Sequence, residues 1–227
     1  SGIKPNLFVI DDNRALTLEI IEYIADGDSK MAADLRSISN DLTNAREYGS
    51  IINVQPVDFN GLIERIGIIA ESDELNLIAM ENKRIVCEKI LPLVKQAQTL
   101  SQKYDVVCTN PPYMGGSGMS TRLADYVKNN YPDSKSDMST VFMEKTINMC
   151  KTNGYMAMIN IPVWMFLSSY EKLREKLFSL NTLSSMVHLG RGVFGSDFGT
   201  TSFIFTKHIS GGFKGSYRRL FEKQGAV

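Results

Sequence analysis

Tyr104-Asp105-Val106-Val107-Cys108-Thr109-Asn110-Pro111-Pro112-Tyr113 is the stretch on which the fold turns. Its apolar, β-branched run Asp105–Thr109 predicts a short strand, and the strand stops abruptly at Asn110-Pro111-Pro112. Two consecutive prolines fix two φ angles and remove two N–H donors, which leaves a rigid turn with outward-facing carbonyls. The Asn110 side-chain oxygen and the Pro111 carbonyl can then both accept hydrogen bonds from one exocyclic NH2 group. Such an amine is a poor nucleophile because its lone pair is delocalised into the ring. Two acceptors on its hydrogens pull the nitrogen toward tetrahedral geometry and localise the pair for attack on an electrophilic methyl group. Tyr113 offers a flat face for a base taken out of its helix, worth ~1–3 kcal/mol against an unstacking cost of a few. The competing interpretation is a tight loop with no chemistry.

Downstream, a Gly-rich loop (Met114 to Ser120) precedes helical patterns around 120–130 and 137–150. Tyr155 to Ile161 alternates as a strand and is stopped by Pro162. A helix around 168–178, a strand near Ser184–Leu189, the loop Gly190–Gly199 and a strand over Thr201–Lys207 follow. Strand and helix alternate, as in a layered α/β sheet that binds ligands at the carboxyl ends of its strands. Upstream, Leu7-Phe8-Val9-Ile10 has the composition of a buried strand closed by Asp11-Asp12-Asn13. Amphipathic spacing predicts helices from Leu16 to about Ile24 and from Met31 to about Glu47, with a short strand over Ile51–Val54. Residues 75–102 suit one or two helices, with Pro92 a break.

The 227 residues, 43% hydrophobic and 22% charged, exclude disorder, collagen and coiled coil. No stretch approaches the ~20 apolar residues of a membrane span and no signal segment opens the chain, so a cytoplasmic protein is expected. Cys87, Cys108 and Cys150 are widely spaced and include no CxxC, so neither a disulfide framework nor a metal site is indicated. The formal net charge of zero averages two unlike halves. Residues 1–100 hold 10 basic and 16 acidic side chains, and residues 101–227 hold 15 and 9. The tail concentrates Lys207, Lys214, Arg218, Arg219 and Lys223 against Glu222. Neutrality therefore does not exclude a nucleic-acid partner.

The strand followed by Asn110-Pro111-Pro112-Tyr113 resembles the N6-adenine-specific DNA methyltransferases that use S-adenosylmethionine. Asp137-Met138 opening a helix, and then Gly154 to Ile159, is similar to that family's next helix and strand. The stretches 110–119, 125–128, 131–137 and Trp164 to Ser169 resemble the large adenine methyltransferases of bacterial BREX/Pgl phage-exclusion systems. The resemblance implies a Rossmann-like S-adenosylmethionine-dependent α/β fold with a helical insertion before the catalytic strand. Residues 1–103 would be the remainder of the N-terminal part and 104–227 the catalytic half. It also implies self-marking of host DNA in restriction-modification or phage defence, with double-stranded DNA and other defence proteins as partners. Asn110, Pro111, Pro112 and Tyr113 would form the catalytic motif. Phe194, in Gly192-Val193-Phe194, would stack on the flipped base opposite Tyr113.

A cofactor loop of the G-x-G kind is missing before residue 115. Gly190-Arg191-Gly192-Val193-Phe194-Gly195 has the glycine spacing but leads to a strand instead of a helix, so it offers no helix N-terminus to a cofactor. The chain is accordingly expected to be truncated, starting just past the family's cofactor loop. Asp11 or Asp12 would lie near the cofactor's adenine; Asp11 as the ribose acid, or a plain helix N-cap, are the alternatives. His188 and Cys108 are expected in the core. Two rival functions are a glutamine or RNA amino-methyltransferase, and a non-catalytic DNA- or partner-binding segment.

Overall fold

The computed structural model describes residues 5–74, 76–193 and 199–222. It divides into two units, Ser1–Gln102 and Lys103–Val227. Among the described residues, no helix is long and apolar enough to cross a membrane.

The first unit consists of helices α1 (Leu18–Ala25), α2 (Ser29–Asp41), α3 (Ala45–Tyr48), α4 (Phe59–Glu71), α5 (Leu77–Ile85) and α6 (Leu91–Ser101). Their starts are written in the sequence. Thr17, Asp28, Asp58 and Asn76 each stand just before a helix and accept a hydrogen bond from its first-turn amides. Gly61 makes room for one of these caps, because a Cβ there would lie 2.8 Å from the Asp58 carboxylate that takes its N–H. Ile24, Leu35, Ile38, Leu42 and Val94, all fully buried, share one core with α4 and α6. Pro92 does not break the last helical run. A single π turn, Val86–Ile90, precedes it and widens the ladder where proline has no N–H to give.

Two expected strands are absent. Leu7 and Val9 are 85% and 89% exposed, and the segment is extended without a ladder, because no described strand pairs with it. Composition alone had suggested a strand there, but a strand also needs a partner. Ile51 and Ile52 are buried, but in a 3₁₀ turn, Gly49–Ile51, and the residues after it.

The second unit is a Rossmann-like α/β layer. Its strands β1 (Tyr104–Thr109), β2 (Cys150–Asn160), β3 (Thr182–Gly190), β4 (Thr200–Thr206) and β5 (Ser216–Arg219) form one sheet in the order β1-β2-β4-β3-β5. β1 runs parallel to β2 and β5 parallel to β3, while β4 lies antiparallel between β2 and β3. Helices α7 (Thr121–Asn130) and α8 (Met138–Met149) connect β1 to β2, and α9 (Glu171–Leu180) precedes β3. Alternation along the strands sends Met156, Met158, Phe203 and Phe205 into a core with Met143, Trp164, Leu173 and Leu177. On the other face Val106, Tyr155 and Ile204 stay at least a third exposed.

Lys145 of α8 is 5% exposed. Burial first, and then the nearby Lys103 charge, pull its ammonium from the ordinary 10.5 down to about 8. Between those values the unfolded chain holds a proton that the folded chain has shed, so this residue's contribution to stability rises with pH across that window. Below it, burial of the charged form opposes folding. Lys145→Met is expected to raise the melting temperature near pH 7 and to flatten the rise in stability between about pH 8 and 10. Thermal scans across that range check this; a variant less stable at every pH would contradict it.

Candidate amino-group site and its neighbouring cavity

The register Thr109↔Met158 places the end of β1 beside β2, and the turn Asn110–Tyr113 leaves from that edge. Pro111 is buried while Asn110, Pro112 and Tyr113 are exposed, so the turn is rooted by a ring and presents its polar groups outward. The Tyr113 hydroxyl donates to Asn110 Oδ1 at 3.2 Å. Partial burial raises the Tyr113 hydroxyl pKa above its ordinary value. The bond fixes the direction of the Asn110 amide, and an amide oxygen still has a second lone pair to offer.

The loop after Tyr113 is held by the start of α8. Gly115 bridges to Asp137, and the Met138 amide donates to the Met114 carbonyl at 2.9 Å. Asp137 in turn caps α8 through the Ser139 amide, at 2.8 Å. Below this junction lies a polar network that hydropathy does not foretell. Ser134 donates to Glu144 at 2.8 Å, Thr140 donates to the Ser134 carbonyl at 2.7 Å, and Lys176 of α9 pairs with Glu144. Ser134, Thr140 and Glu144 are all buried, so the segment 131–137 that braces the turn is fixed from both sides.

Asp11 and Asp12 both engage Arg46. Burial draws the Asp11 carboxyl up, but the Asp12 amide and Arg46 outweigh it and hold the group below its ordinary value. Asp11 Oδ1 accepts from Arg46 Nε at 2.9 Å, and Asp12 Oδ1 accepts from the Arg46 amide at 2.9 Å. Asp12 thus satisfies an amide in the first turn of α3, with no side-chain cap on the turn Asn13–Ala15 that follows it. Phe194 lies outside the described residues. Cys108 is exposed and not in the core, because it falls on the less covered face of β1.

A second feature of the same sheet edge went unseen in sequence. The carboxyl ends of β2, β3 and β5, with the entry to β4, enclose a cavity of about 580 Å3. Ile161, Pro162, Val163 and Phe166 line it after β2, and His188, Arg191, Arg219 and Phe221 from the other strands. His188, expected in the core, stands half-buried in this wall. Of the basic lining residues, Arg219 alone was legible as part of a charged tail, and β5 was not legible as a strand, because Ser216–Arg219 is exposed throughout and carries no apolar alternation.

The model of the Eco57I restriction-modification methylase family matches residues 16–194. The adenine-specific methyltransferase BrxX of Escherichia coli O9:H4 (strain HS) is 37% identical over 187 residues, which cover 79% of this chain and 15% of that protein. The adenine-specific methyltransferase PglX of Lacticaseibacillus casei (strain Zhang) is 34% identical over 225 residues, 97% of this chain and 18% of its own length. The chain therefore spans less than a fifth of the curated relatives it matches. Among solved structures, a putative class I S-adenosylmethionine-dependent methyltransferase from Listeria monocytogenes aligns over 96% of this chain and 68% of its own. The TM-score is 0.42 and the identity 12%. The family match begins in the helical unit and runs through the Asn110–Tyr113 turn to the loop after β3, and on that basis the chain belongs to the Eco57I restriction-modification methylase family.

Proposed function

We propose that this chain carries the amino-group-binding half of a DNA N6-adenine methyltransferase acting in host DNA modification and phage defence. The observation that carries the proposal is the Asn110–Tyr113 turn. A buried proline roots it at the carboxyl end of a parallel strand, and its Asn110 oxygen is exposed and aimed by the Tyr113 hydroxyl. Adenine is chosen over cytosine because the relatives are named adenine-specific. Both bases offer an amino group that needs two acceptors and a ring that needs a flat partner. The Asn110 oxygen and the Pro111 carbonyl supply the first, and Tyr113 supplies the second. Neither amide oxygen is basic, so their work is to polarise the nitrogen; the proton it sheds leaves to water. The relatives named adenine-specific methyltransferases, and the net positive charge of residues 101–227, support this reading.

The methyl group in this reading comes from S-adenosylmethionine, and the described residues do not fit its cradle. Asp11 spends Oδ1 on Arg46, and no glycine turn adjoins it among the described residues. Gly190 ends β3 and Gly192 follows it, but the next described element is strand β4, which has no helix N-terminus to offer. The derivation is therefore confined to the amino-group side. Residues 1–103 are read as the remainder of the family's N-terminal part with a helical insertion, and 104–227 as its catalytic half.

The methylase as its host makes it is tested with methyl-labelled cofactor and duplex DNA. Label on adenine N6 is the expected result. Label on cytosine, on RNA or on protein with none on adenine would overturn the reading.

A further inference from the structure

The cavity of about 580 Å3 beside the acceptor turn has a composition that no apolar core needs. Ile161, Pro162 and Val163 line it from beyond β2, and Phe221 from beyond β5. Arg219 lies over that ring, with Cζ 5.5 Å from its centroid, and His188 meets the same ring edge-on at 4.8 Å. Gly190, at φ +89°, lets the ring come close, since a Cβ there would lie 2.9 Å from the Phe221 Cδ1. The ring is thus built into the wall. Arg191 completes the rim, and among the described residues no carboxylate within ion-pair distance meets either guanidinium. Glu222 also lines the cavity but pairs with neither.

His188 adds a donor. The Gly190 amide donates to its Nδ1 at 3.3 Å, which leaves the proton on Nε2. Burial, and then the Arg219 charge, lower its tendency to gain a second proton. Two guanidiniums that no described carboxylate meets, a fixed aromatic ring and an apolar lining suit an anion attached to a flat apolar body, which is what a nucleotide is.

Topology relates this cavity to the turn. β1 and β2 are parallel, β4 reverses, and β3 and β5 run with β2, so the cavity and Asn110 lie on one edge of one sheet. β3 is three strands from β1, which at about 4.8 Å per strand is roughly 14 Å. At about 3.4 Å per nucleotide step, this is the reach of a few nucleotides along one DNA strand. We propose that this cavity is a second nucleotide subsite. It takes the phosphate of a DNA nucleotide flanking the target between Arg191 and Arg219, and stacks its base on Phe221. The inference rests on the DNA-methylation reading and extends it to where the flanking strand is gripped.

The test titrates the 227-residue chain with a fluorescent, terminally phosphorylated tetrathymidylate at several salt concentrations. Saturable binding is expected. The double variant Arg191→Ala/Arg219→Ala should bind at least about tenfold more weakly and lose roughly 0.7 from the salt slope, the share of one phosphate contact on a single strand. Phe221→Leu keeps both charges and should lose about fivefold or more through stacking alone. Both arginines are exposed, so circular dichroism should show both units folded. Arg191→Lys/Arg219→Lys, which keeps the charge but not the planar fork, should fall between wild type and the alanine variant. No binding by the wild-type chain, or equal binding by the double alanine variant, overturns the subsite. Inorganic phosphate competing as well as the oligonucleotide overturns it too. Failure of the methylation reading is seen elsewhere, in which base the label reaches, so the two failures are distinguishable.

Discussion

Asn110→Ala in the methylase is expected to lower methyl transfer by about 10²–10³ or more, the usual consequence of removing one preorganised group from a charge-redistributing step. The substitution takes away the acceptor that the Tyr113 hydroxyl aims from 3.2 Å, and leaves Pro111 alone to draw one hydrogen of the amine. Asn110 is exposed, so folding should change by only a few tenths of a kcal/mol. Loss of activity without loss of stability is therefore the signature. Asn110→Asp keeps an oxygen acceptor at the same place and should recover part of the rate, which a merely structural role would not require. Single-turnover methylation assays separate these outcomes from changes in DNA affinity. A wild-type rate in the alanine variant would contradict the assignment.

Trp164→Ala is expected to produce the largest loss of stability in the second unit, about 3–5 kcal/mol. The side chain is 1% exposed and packs against Phe203 and Phe205 at centroid distances of 5.4 and 6.3 Å, with Phe178 at 6.5 Å. An alanine there leaves a cavity among two rings of β4 and one of α9. The melting temperature should fall by roughly 10 °C or more. Trp164→Phe should cost far less, because among the described residues the buried indole N–H has no hydrogen-bond acceptor, and losing that unsatisfied donor offsets part of the lost packing. Thermal scans by circular dichroism check both. An alanine variant that melts with the wild type would show that this cluster is not the core of the unit.

These cases also show what can be read from sequence alone. Strand β1 and its turn were legible because an apolar run, two prolines and an asparagine each constrain the backbone locally. Helices α7, α8 and α9 were legible from local helical patterns, with Asp137 opening α8. Helix α4 was missed, since Gly61 and Gly67 weaken its intrinsic preference, and the Asp58 cap and the burial of Phe59, Leu62, Ile66 and Ile69 offset that. The extended Leu7–Ile10 and strand β5 fail in opposite directions. The first has strand composition but no partner; the second has a partner in β3 but no strand composition. Pairing is a non-local fact that composition does not carry. The candidate site divides the same way. The acceptor turn is contiguous and was read directly, whereas the cavity gathers residues from four strand ends whose adjacency exists only in the folded sheet. The Glu144 network that braces the turn was likewise invisible, because a buried carboxylate looks in sequence like an exposed one.

The most direct measurement compares the binding of two duplexes that differ only at the methylated position, one with adenine and one with purine, the same ring without its amino group. The wild-type methylase should prefer adenine by roughly tenfold, about the worth of one to two hydrogen bonds. Asn110→Ala should lose most of that preference while binding the purine duplex as wild type does. A preference for adenine that survives unchanged in the Asn110→Ala variant would contradict the claim that this turn holds the amine.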